Sequence, residues 1–353
     1  MNNLWEDIHF QAINLRKVIN HLYGPERESL ERAANFLRNE RPILLIGVAS
    51  AAYLCMPAEA YLNKNGRIAS VVYASDALYS YPAVLDHSNV VINTRSGETA
   101  EIILLGKALV ERGIPFVAIT NEPDSTLARL ATYVIRCESH KDDLVSINIV
   151  TAMMTTTLIL SAAVLGQMDA VRDEIDSLPE KIEETIRKAD HSADEIWQLF
   201  KDVRPIHLLY RGSMKGAAFC GRLVLEEVAR MPSTVIEAAE FRQGPNEVVD
   251  DRFGAIILSP GGRPGSLNWS LANDILLSGG RVLFIGNPAS EADSFIKTFP
   301  LNELSDSLLP ILGVVPVQVL AYKLAMGQGY TPGEVRYISK VIMAEEGIPN
   351  EIS

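Results

Sequence analysis

The chain has 353 residues, and a content of 48% hydrophobic and 22% charged residues is that of a globular protein long enough for two domains. A formal net charge of -12 argues against nucleic-acid partners, because phosphate backbones require concentrated Lys and Arg. The three cysteines, Cys55, Cys137 and Cys220, lie far apart without metal-ligand spacing, so we expect no zinc site and no disulfide framework. We also expect no cofactor.

The first part of the chain alternates predicted helices and strands. Residues 1–40 indicate two helices joined at Gly24-Pro25, and their acidic start lacks the basic residues of a secretory signal, so we expect a cytoplasmic protein. The elements predicted next are a strand over 43–46 leading to Ser50, a helix over 51–62, and strands over 68–73, 90–92, 116–120 and 133–136. This alternation predicts an open parallel sheet covered by helices on both faces, with ligands beyond the carboxyl ends of the strands.

A polar turn, NTRSGET, lies between the strand at 90–92 and a helix predicted to begin at Glu98. Its donor side chains are those of Thr94, Arg95, Ser96 and Thr99. Gly97 permits a close backbone approach, and the first turn of a helix offers free N–H groups and a positive dipole end. The pattern therefore predicts an anion cradle. The alternative is an ordinary helix start, with Ser96 as the capping residue.

Residues 145–165 are strongly apolar and resemble a membrane span in length. Ser, Thr and Asn side chains interrupt them, and no basic flank marks a cytoplasmic side. The pattern favours a buried helix of a soluble α/β domain, so we expect no membrane partner.

Residues 166–200 are charged and helix-prone, with an apolar stripe that favours a packed helical connector over a free linker. The pattern then repeats, since IHLLYRGS over 206–213 aligns with ILLIGVAS over 43–50. We interpret this as a duplication of the α/β domain. The second copy has LSPGGRPG over 258–265, without the hydroxyl spacing, so we expect one phosphate-type site per chain.

Together the SGET turn, the run EAAEFRQGPNEVVD over 237–250 and the ending PVQVLAYKLAMGQGYTPGEVRYISKV resemble the double-SIS (sugar isomerase) family. Its relatives by pattern are the isomerase half of glucosamine-6-phosphate synthase, glucosamine-6-phosphate deaminases of that fold and fructosamine-6-phosphate deglycases. The resemblance implies two tandem SIS domains, each a flavodoxin-like αβα sandwich with a parallel sheet, and a homodimer or higher oligomer. The implied segments are N-terminal helices over 1–40, SIS domains over 41–165 and 201–330, a connector over 166–200 and an active-site tail over 331–353. No glutaminase domain is expected.

The resemblance also implies which residues bind the substrate. Ser50, Thr94, Arg95, Ser96 and Thr99 would hold the phosphate of a hexose 6-phosphate, the small molecule expected as a partner. Arg95 replaces the Gln that relatives often have. Val145 and Ser146 stand where the family's sugar-contacting loop lies, although the usual Ser-Thr-Lys sequence is absent.

By the same resemblance Glu227 is the general base that moves a proton between C1 and C2, and Lys340 is the tail lysine that closes over the sugar. Partial burial would raise the pKa of Glu227. From the residues alone, both Glu226 and Glu227 are interpreted as solvated helix residues. The resemblance reverses this interpretation for Glu227 and leaves it unchanged for Glu226. Gln243 stands where the family usually has His, and an amide cannot transfer a proton at neutral pH.

No histidine stands in a nucleophile or metal arrangement, and His207 is interpreted as a core residue of a strand. The implied function is an enzyme of amino-sugar catabolism. Because Gln243 replaces the ring-opening His, the first choice is a deglycase that cleaves a fructosamine (Amadori) 6-phosphate to hexose 6-phosphate and free amine. The alternatives are a glucosamine-6-phosphate deaminase or isomerase, and a sugar-phosphate binding protein without catalysis.

Overall fold

The computed structural model describes residues 4–288, 296–301, 303–337 and 341–344. They fall into two compact units, each built around one parallel sheet. The first-sheet unit comprises Ile13–Leu178 and Val335–Ser353, and the second-sheet unit comprises Met1–Ala12 and Pro179–Glu334. The expected domain boundaries stay predictions.

Five strands form the first sheet, in the order β2-β1-β3-β4-β5. They are β1 (Ile43–Gly47), β2 (Ala69–Tyr73), β3 (Asn89–Thr94), β4 (Phe116–Thr120) and β5 (Tyr133–Arg136). The helices up to the second sheet are α1 (Leu4–Tyr23), α2 (Arg27–Leu37), α3 (Ser50–Tyr53), α4 (Met56–Lys64), α5 (Ala100–Glu111), α6 (Thr126–Leu130), α7 (Asn148–Val164), α8 (Arg172–Asp176) and α9 (Leu178–Phe200). A π-helical turn over Asp76–Ser80 and a 3-10 helix over Pro82–His87 connect β2 to β3.

The core of this unit explains why its strands are continuous apolar runs. Every residue of β1, β3 and β4 is buried, because a parallel sheet is covered on both faces. On one face the α5 side chains Ile102, Leu105 and Leu109 pack into one cluster with strand residues that include Ile46 and Ile92. The predicted alternation of strands and helices is therefore confirmed.

The helix predicted over 51–62 is two helices, α3 and α4. Pro57 lies in the first turn of α4 and has no N–H to donate, so an unbroken helix would lose one of its backbone hydrogen bonds there. Proline is tolerated at a helix start, and a new helix begins at Met56 instead.

The apolar run over 145–165 forms α7, in which every residue of Asn148–Val164 is buried. Its hydroxyls are satisfied within the helix: Thr155, Thr156 and Ser161 donate to carbonyls four residues earlier at 2.8 to 2.9 Å. The predicted buried helix is confirmed. Among the described residues one stretch, Leu309–Gly327, is apolar and long enough to cross a membrane, and 83% of its most apolar window is buried inside the protein.

The second sheet repeats the topology of the first. Its strands are β6 (Ile206–Tyr210), β7 (Ser233–Glu237), β8 (Gly254–Leu258), β9 (Arg281–Ile285) and β10 (Ile296–Phe299), in the order β10-β9-β8-β6-β7. Its helices are α10 (Lys215–Ala229), α11 (Ala238–Phe241), α12 (Gly262–Leu277), α13 (Leu309–Gly313) and α14 (Val315–Gly327). Counted along the chain, both sheets have the strand order 2-1-3-4-5, and the aligned strands β1 and β6 occupy the same place in it. The duplication itself stays a prediction.

His207 in β6 is a packed histidine. Its ring stacks on Phe253 with centroids 4.5 Å apart, and Nδ1 lies 2.8 Å from the Thr234 hydroxyl. Burial lowers the pKa of His207 below its ordinary value of 6.5. The unfolded chain therefore takes up a proton at a higher pH than the folded chain, and the folded protein loses stability as the pH falls below about 6.5.

We expect His207→Gln to make the free energy of unfolding depend less steeply on pH between 7 and 5. A difference of one bound proton between the unfolded and folded states changes the free energy of unfolding by about 1.4 kcal/mol per pH unit. Because the pKa shift of His207 is limited, we expect a fraction of that slope. Urea unfolding across this range measures the slope, and His87→Gln, at an exposed position, is the control. Equal slopes in wild type and His207→Gln would contradict this assignment.

Candidate functional site

The first sheet brings two of the predicted segments to one edge. Ile46 of β1 pairs in parallel with Ile92 of β3, so the chain leaves both strands at the same side of the sheet. After β1 it passes to β2 on one side, and after β3 to β4 on the other. Such a switch point opens a crevice at the carboxyl ends of the two strands, where ligands of open α/β sheets bind. Ser50 and the turn over 94–99 flank this crevice.

The turn over 94–99 is closed by its own hydroxyls. Thr94 Oγ1 accepts from the Gly97 N–H at 3.1 Å, and Ser96 Oγ accepts from the Glu98 N–H at 3.2 Å. Gly97 has φ +65° and Thr99 is extended with ψ 137°, so neither residue is helical and α5 begins at Ala100 instead of Glu98. The predicted helix start is wrong by two residues.

Thr99, and not Ser96, is the residue that precedes α5, and its side chain makes no capping hydrogen bond. The ordinary helix start with Ser96 as the cap is therefore wrong. Thr94 is buried with 3% exposure, whereas Arg95, Ser96 and Thr99 are partly exposed. Thr94 thus shapes the turn, and the other three side chains have solvent access.

Backbone N–H groups at the start of α6 hold the turn over 94–99 in place. The Gly97 carbonyl accepts from the Leu127 N–H at 3.1 Å, and Glu98 Oε1 accepts from the Thr126 N–H at 2.7 Å. Gly97 has φ +65°, and an added Cβ would lie 2.5 Å from the Ser125 Cβ. The turn therefore requires glycine for its backbone angle and for space.

The corner after β1 is also specialised. Ala49 has φ 46° and ψ -123°, a combination that costs a residue with a Cβ about 1 to 3 kcal/mol. This corner places Ser50, which is partly exposed, as the first residue of α3. Asn93 on β3, fully buried, donates to the Ala51 carbonyl at 2.8 Å and ties the corner to the neighbouring strand.

The predicted sugar loop reaches the same turn. Arg95 Nη1 donates to Ser146 Oγ at 3.3 Å, so the structure brings these two predicted residues together. Val145 is 3% exposed, and its side chain packs inside the protein. Val145 therefore offers a ligand almost no accessible surface.

Ile342 of the tail contacts the start of α5, where its carbonyl accepts from the Ala100 N–H at 3.1 Å. Lys340, the predicted catalytic lysine, lies outside the described residues.

The predicted base lies in the second-sheet unit. Glu227 is partly buried on α10, and its charge is one cause, after burial, of the raised pKa of Cys220 two turns earlier. Glu226 is not the solvated residue that was expected. It is partly buried, pairs with Arg222 at 3.1 Å, and burial raises the pKa of its carboxyl despite that partner.

Gln243 is exposed in the loop between α11 and a 3-10 helix over Pro245–Val248. Its N–H donates to the Glu240 carbonyl at 2.8 Å, and the next residue, Gly244, has φ +132°. The amide side chain is therefore carried by an ordered turn.

The second sheet has a different group at the turn after β8. The Gly261 N–H, just before α12, donates to the Asp306 carboxylate at 3.3 Å. A carboxylate of the protein itself stands at this helix start, and the expectation of one phosphate-type site per chain stays a prediction. The described residues contain no cluster of three or more His, Cys, Asp or Glu side chains suited to a metal ion.

Sequence reasoning missed a buried polar network beneath the crevice. Its side chains are those of Asn14, Asn121, Ser139, Asp142 and Asn148, each at most 7% exposed. Asn121 directly follows β4, so the strand-end rule that indicated Ser50 could have found it. The others come from α1, from the segment between β5 and α7, and from the first residue of α7, which no local pattern relates to the crevice.

Comparison with known proteins agrees with this fold. The SIS domain family matches residues 36–165. The isomerizing glutamine–fructose-6-phosphate aminotransferase of Pyrobaculum aerophilum is 27% identical over 333 residues, which are 91% of this chain and 54% of that protein. The chain thus spans about half the length of the curated relatives it matches.

Two solved structures share the architecture. The C-terminal domain of glucosamine-fructose-6-phosphate aminotransferase from Francisella tularensis superposes with a TM-score of 0.83 at 20% identity, covering 94% of this chain and 97% of that one. Glucosamine-6-phosphate deaminase from Thermotoga maritima gives a TM-score of 0.75 at 17% identity, covering 96% and 99%. At these identities the likeness establishes the fold.

Proposed function

We propose that this chain, which carries a SIS domain and is homologous to about half of an isomerizing aminotransferase, is an enzyme that acts on an amino-sugar 6-phosphate. The observation that carries the proposal is the turn over 94–99. It combines partly exposed hydroxyls, a guanidinium and a helix start at the switch point of a parallel sheet. Hydroxyl donors and a guanidinium suit a phosphate dianion, and the positive end of the α5 dipole favours the same charge.

In this proposal Ser50, Ser96 and Thr99 donate to the phosphate, and Arg95 adds a charge. Thr94 holds the turn in shape. Ser146, which accepts a hydrogen bond from Arg95, contacts the sugar next to the phosphate. The phosphate thus anchors the substrate, and the open-chain carbons extend away from the turn.

Glu227 is proposed as the base on the C1–C2 unit. In a deglycase it removes a proton from C1 of the fructosamine and returns one to C2, which converts the ketoamine to an imine at C1. Water then adds to this imine, and the amine leaves, so that hexose 6-phosphate and free amine form. Gln243 holds a hydroxyl or a water through its amide, and Lys340 stays the proposed proton donor.

Two related reactions use the same proton transfer, and the relatives' names include an isomerizing aminotransferase and a deaminase. Isomerisation of a ketose to an aldose requires the ring to open, a step for which the family's usual His is replaced by Gln243. We therefore place the deglycase first and the deaminase or isomerase second. We also propose a homodimer and a cytoplasmic location.

The test is to incubate the purified protein with several fructosamine 6-phosphates, glucosamine 6-phosphate and fructose 6-phosphate. A deglycase releases free amine and hexose 6-phosphate from the first group. Release of ammonia or of an isomerised sugar from the other substrates would favour a deaminase or isomerase. Binding without turnover would favour a non-catalytic sugar-phosphate binding protein. Fructosamines without phosphate are the matched control and should be poor substrates. A protein that binds none of the phosphorylated sugars would refute the proposal.

A further inference from the structure

Asp142 is a buried carboxylate with an unusual number of donors. It is 1% exposed, and it precedes α7 by six residues. Its Oδ2 accepts from the N–H groups of Ile147 at 3.0 Å and Ile149 at 2.9 Å. Its Oδ1 accepts from the N–H of Asn148 at 2.8 Å and from the side-chain amide of the same residue at 3.0 Å.

These bonds satisfy the free N–H groups at the start of α7 from within the protein. Three successive amides, which at an open helix start would face solvent or an anion, are bound by one carboxylate of the protein. The residues between Asp142 and Ile147 are thereby closed into a short loop, and this loop carries Val145 and Ser146. Hydrogen bonds to a charged acceptor are stronger than those between neutral groups, so the loop is firmly held.

Hydrogen bonds of buried amide groups also connect this loop to the turn over 94–99. The Arg95 carbonyl accepts from the Asn121 N–H at 3.2 Å. The Asn121 side chain pairs with the Ser139 backbone, accepting from its N–H at 2.7 Å and donating to its carbonyl at 3.1 Å.

Asn14 continues this chain of contacts. Its amide donates to Ser139 Oγ at 3.1 Å and to the Asn148 carbonyl at 3.3 Å, and its carbonyl oxygen accepts from the His140 N–H at 2.7 Å. An unbroken set of buried hydrogen bonds therefore connects the back of the turn to the loop that Asp142 closes. Buried networks with satisfied members specify one geometry.

We infer that Asp142 is a positioning residue that fixes the Val145–Ser146 loop against Arg95 and so sets the fit of the sugar next to its phosphate. The inference rests on the proposed function. Asp142 does not contact the ligand. It acts on the loop and through Ser146 on Arg95, whereas the phosphate donors Ser50, Ser96 and Thr99 are held by other elements, so sugar binding responds more strongly to its loss than anion binding does.

The test compares wild type with Asp142→Asn, which keeps the shape of the side chain but faces the Ile147, Asn148 and Ile149 amides with a neutral group. Isothermal titration should give an affinity for inorganic phosphate within about 3-fold of wild type, and an affinity for fructose 6-phosphate about 10-fold weaker. Asn89→Ala is the matched control. Asn89 is 2% exposed and bonds to backbone carbonyls at the opposite end of β3, so its loss affects stability without changing either affinity.

A double-mutant cycle with Ser146→Ala then asks whether Asp142 acts through the loop. The effects on fructose 6-phosphate binding should not add, because either change alone loosens the same contact. Additive effects, unchanged affinities in Asp142→Asn, or equal losses for phosphate and sugar phosphate would each overturn the inference. Wild-type protein that binds neither probe would overturn the proposed function, and the assignment of Asp142 with it.

Discussion

Glu227→Gln is expected to lower kcat by about 100- to 10,000-fold on whichever phosphorylated sugar proves to be the substrate. General acid and base catalysis is typically worth this much, and the amide has nearly the shape of the carboxylate but cannot accept the carbon-bound proton. Binding of inorganic phosphate should be unchanged, because the proposed phosphate donors belong to the turn over 94–99 and to Ser50. Steady-state kinetics and phosphate titration measure the two effects separately.

The neighbouring carboxylate provides a close control. Glu226 lies on the same helix, is partly buried, and has a raised pKa, so its pKa alone would make it a rival candidate for the base. It pairs with Arg222 at 3.1 Å, however, and we expect Glu226→Gln to change kcat by less than about 3-fold. A larger loss in Glu226→Gln than in Glu227→Gln would transfer the role of base to Glu226.

The sequence was informative where the signal is local. Strands such as Ile43–Gly47 and Phe116–Thr120 are continuous apolar runs, and the helix of Ile102, Leu105 and Leu109 has the matching period. Because ligands of open parallel sheets bind beyond the carboxyl ends of the strands, the sequence also predicted that Ser50 and the turn over 94–99 lie at one edge. The turn itself is short, so its hydroxyls and glycine are visible in seven consecutive letters.

The parts that escaped prediction depend on contacts between distant segments. Asn14, Asn121 and Asp142 are polar residues that would be assigned to the surface, and only their pairing across the fold makes burial tolerable. The shifted start of α5 has the same kind of cause. Gly97, whose carbonyl accepts from the distant Leu127 N–H, has φ +65°, and Thr99 is extended, so the helix starts later than periodicity indicates.

Gly97→Ala is expected to abolish the proposed phosphate site. At φ +65° a Cβ costs about 1 to 2 kcal/mol, and it would lie 2.5 Å from the Ser125 Cβ and closer still to the Ser125 hydroxyl. Rotation of that hydroxyl gives no relief, because the neighbouring Cβ also clashes and Ser125 caps α6 by accepting from the Ala128 N–H. The turn must therefore move, and we expect phosphate affinity to fall by more than about 30-fold.

A substitution at a second glycine distinguishes the effect of the steric clash with Ser125 from the effect of the backbone strain. Gly113 also has φ +65°, but no atom lies within 4 Å of the position of its Cβ, so Gly113→Ala carries only the strain. We expect it to lower the free energy of unfolding by about 1 to 2 kcal/mol without changing phosphate affinity. Gly97→Ala should lose about 1 to 3 kcal/mol more, and adding Ser125→Gly should recover part of the phosphate affinity by removing the clashing atoms. Equal behaviour of the two alanine variants in phosphate titration would show that the turn over 94–99 is not the phosphate site.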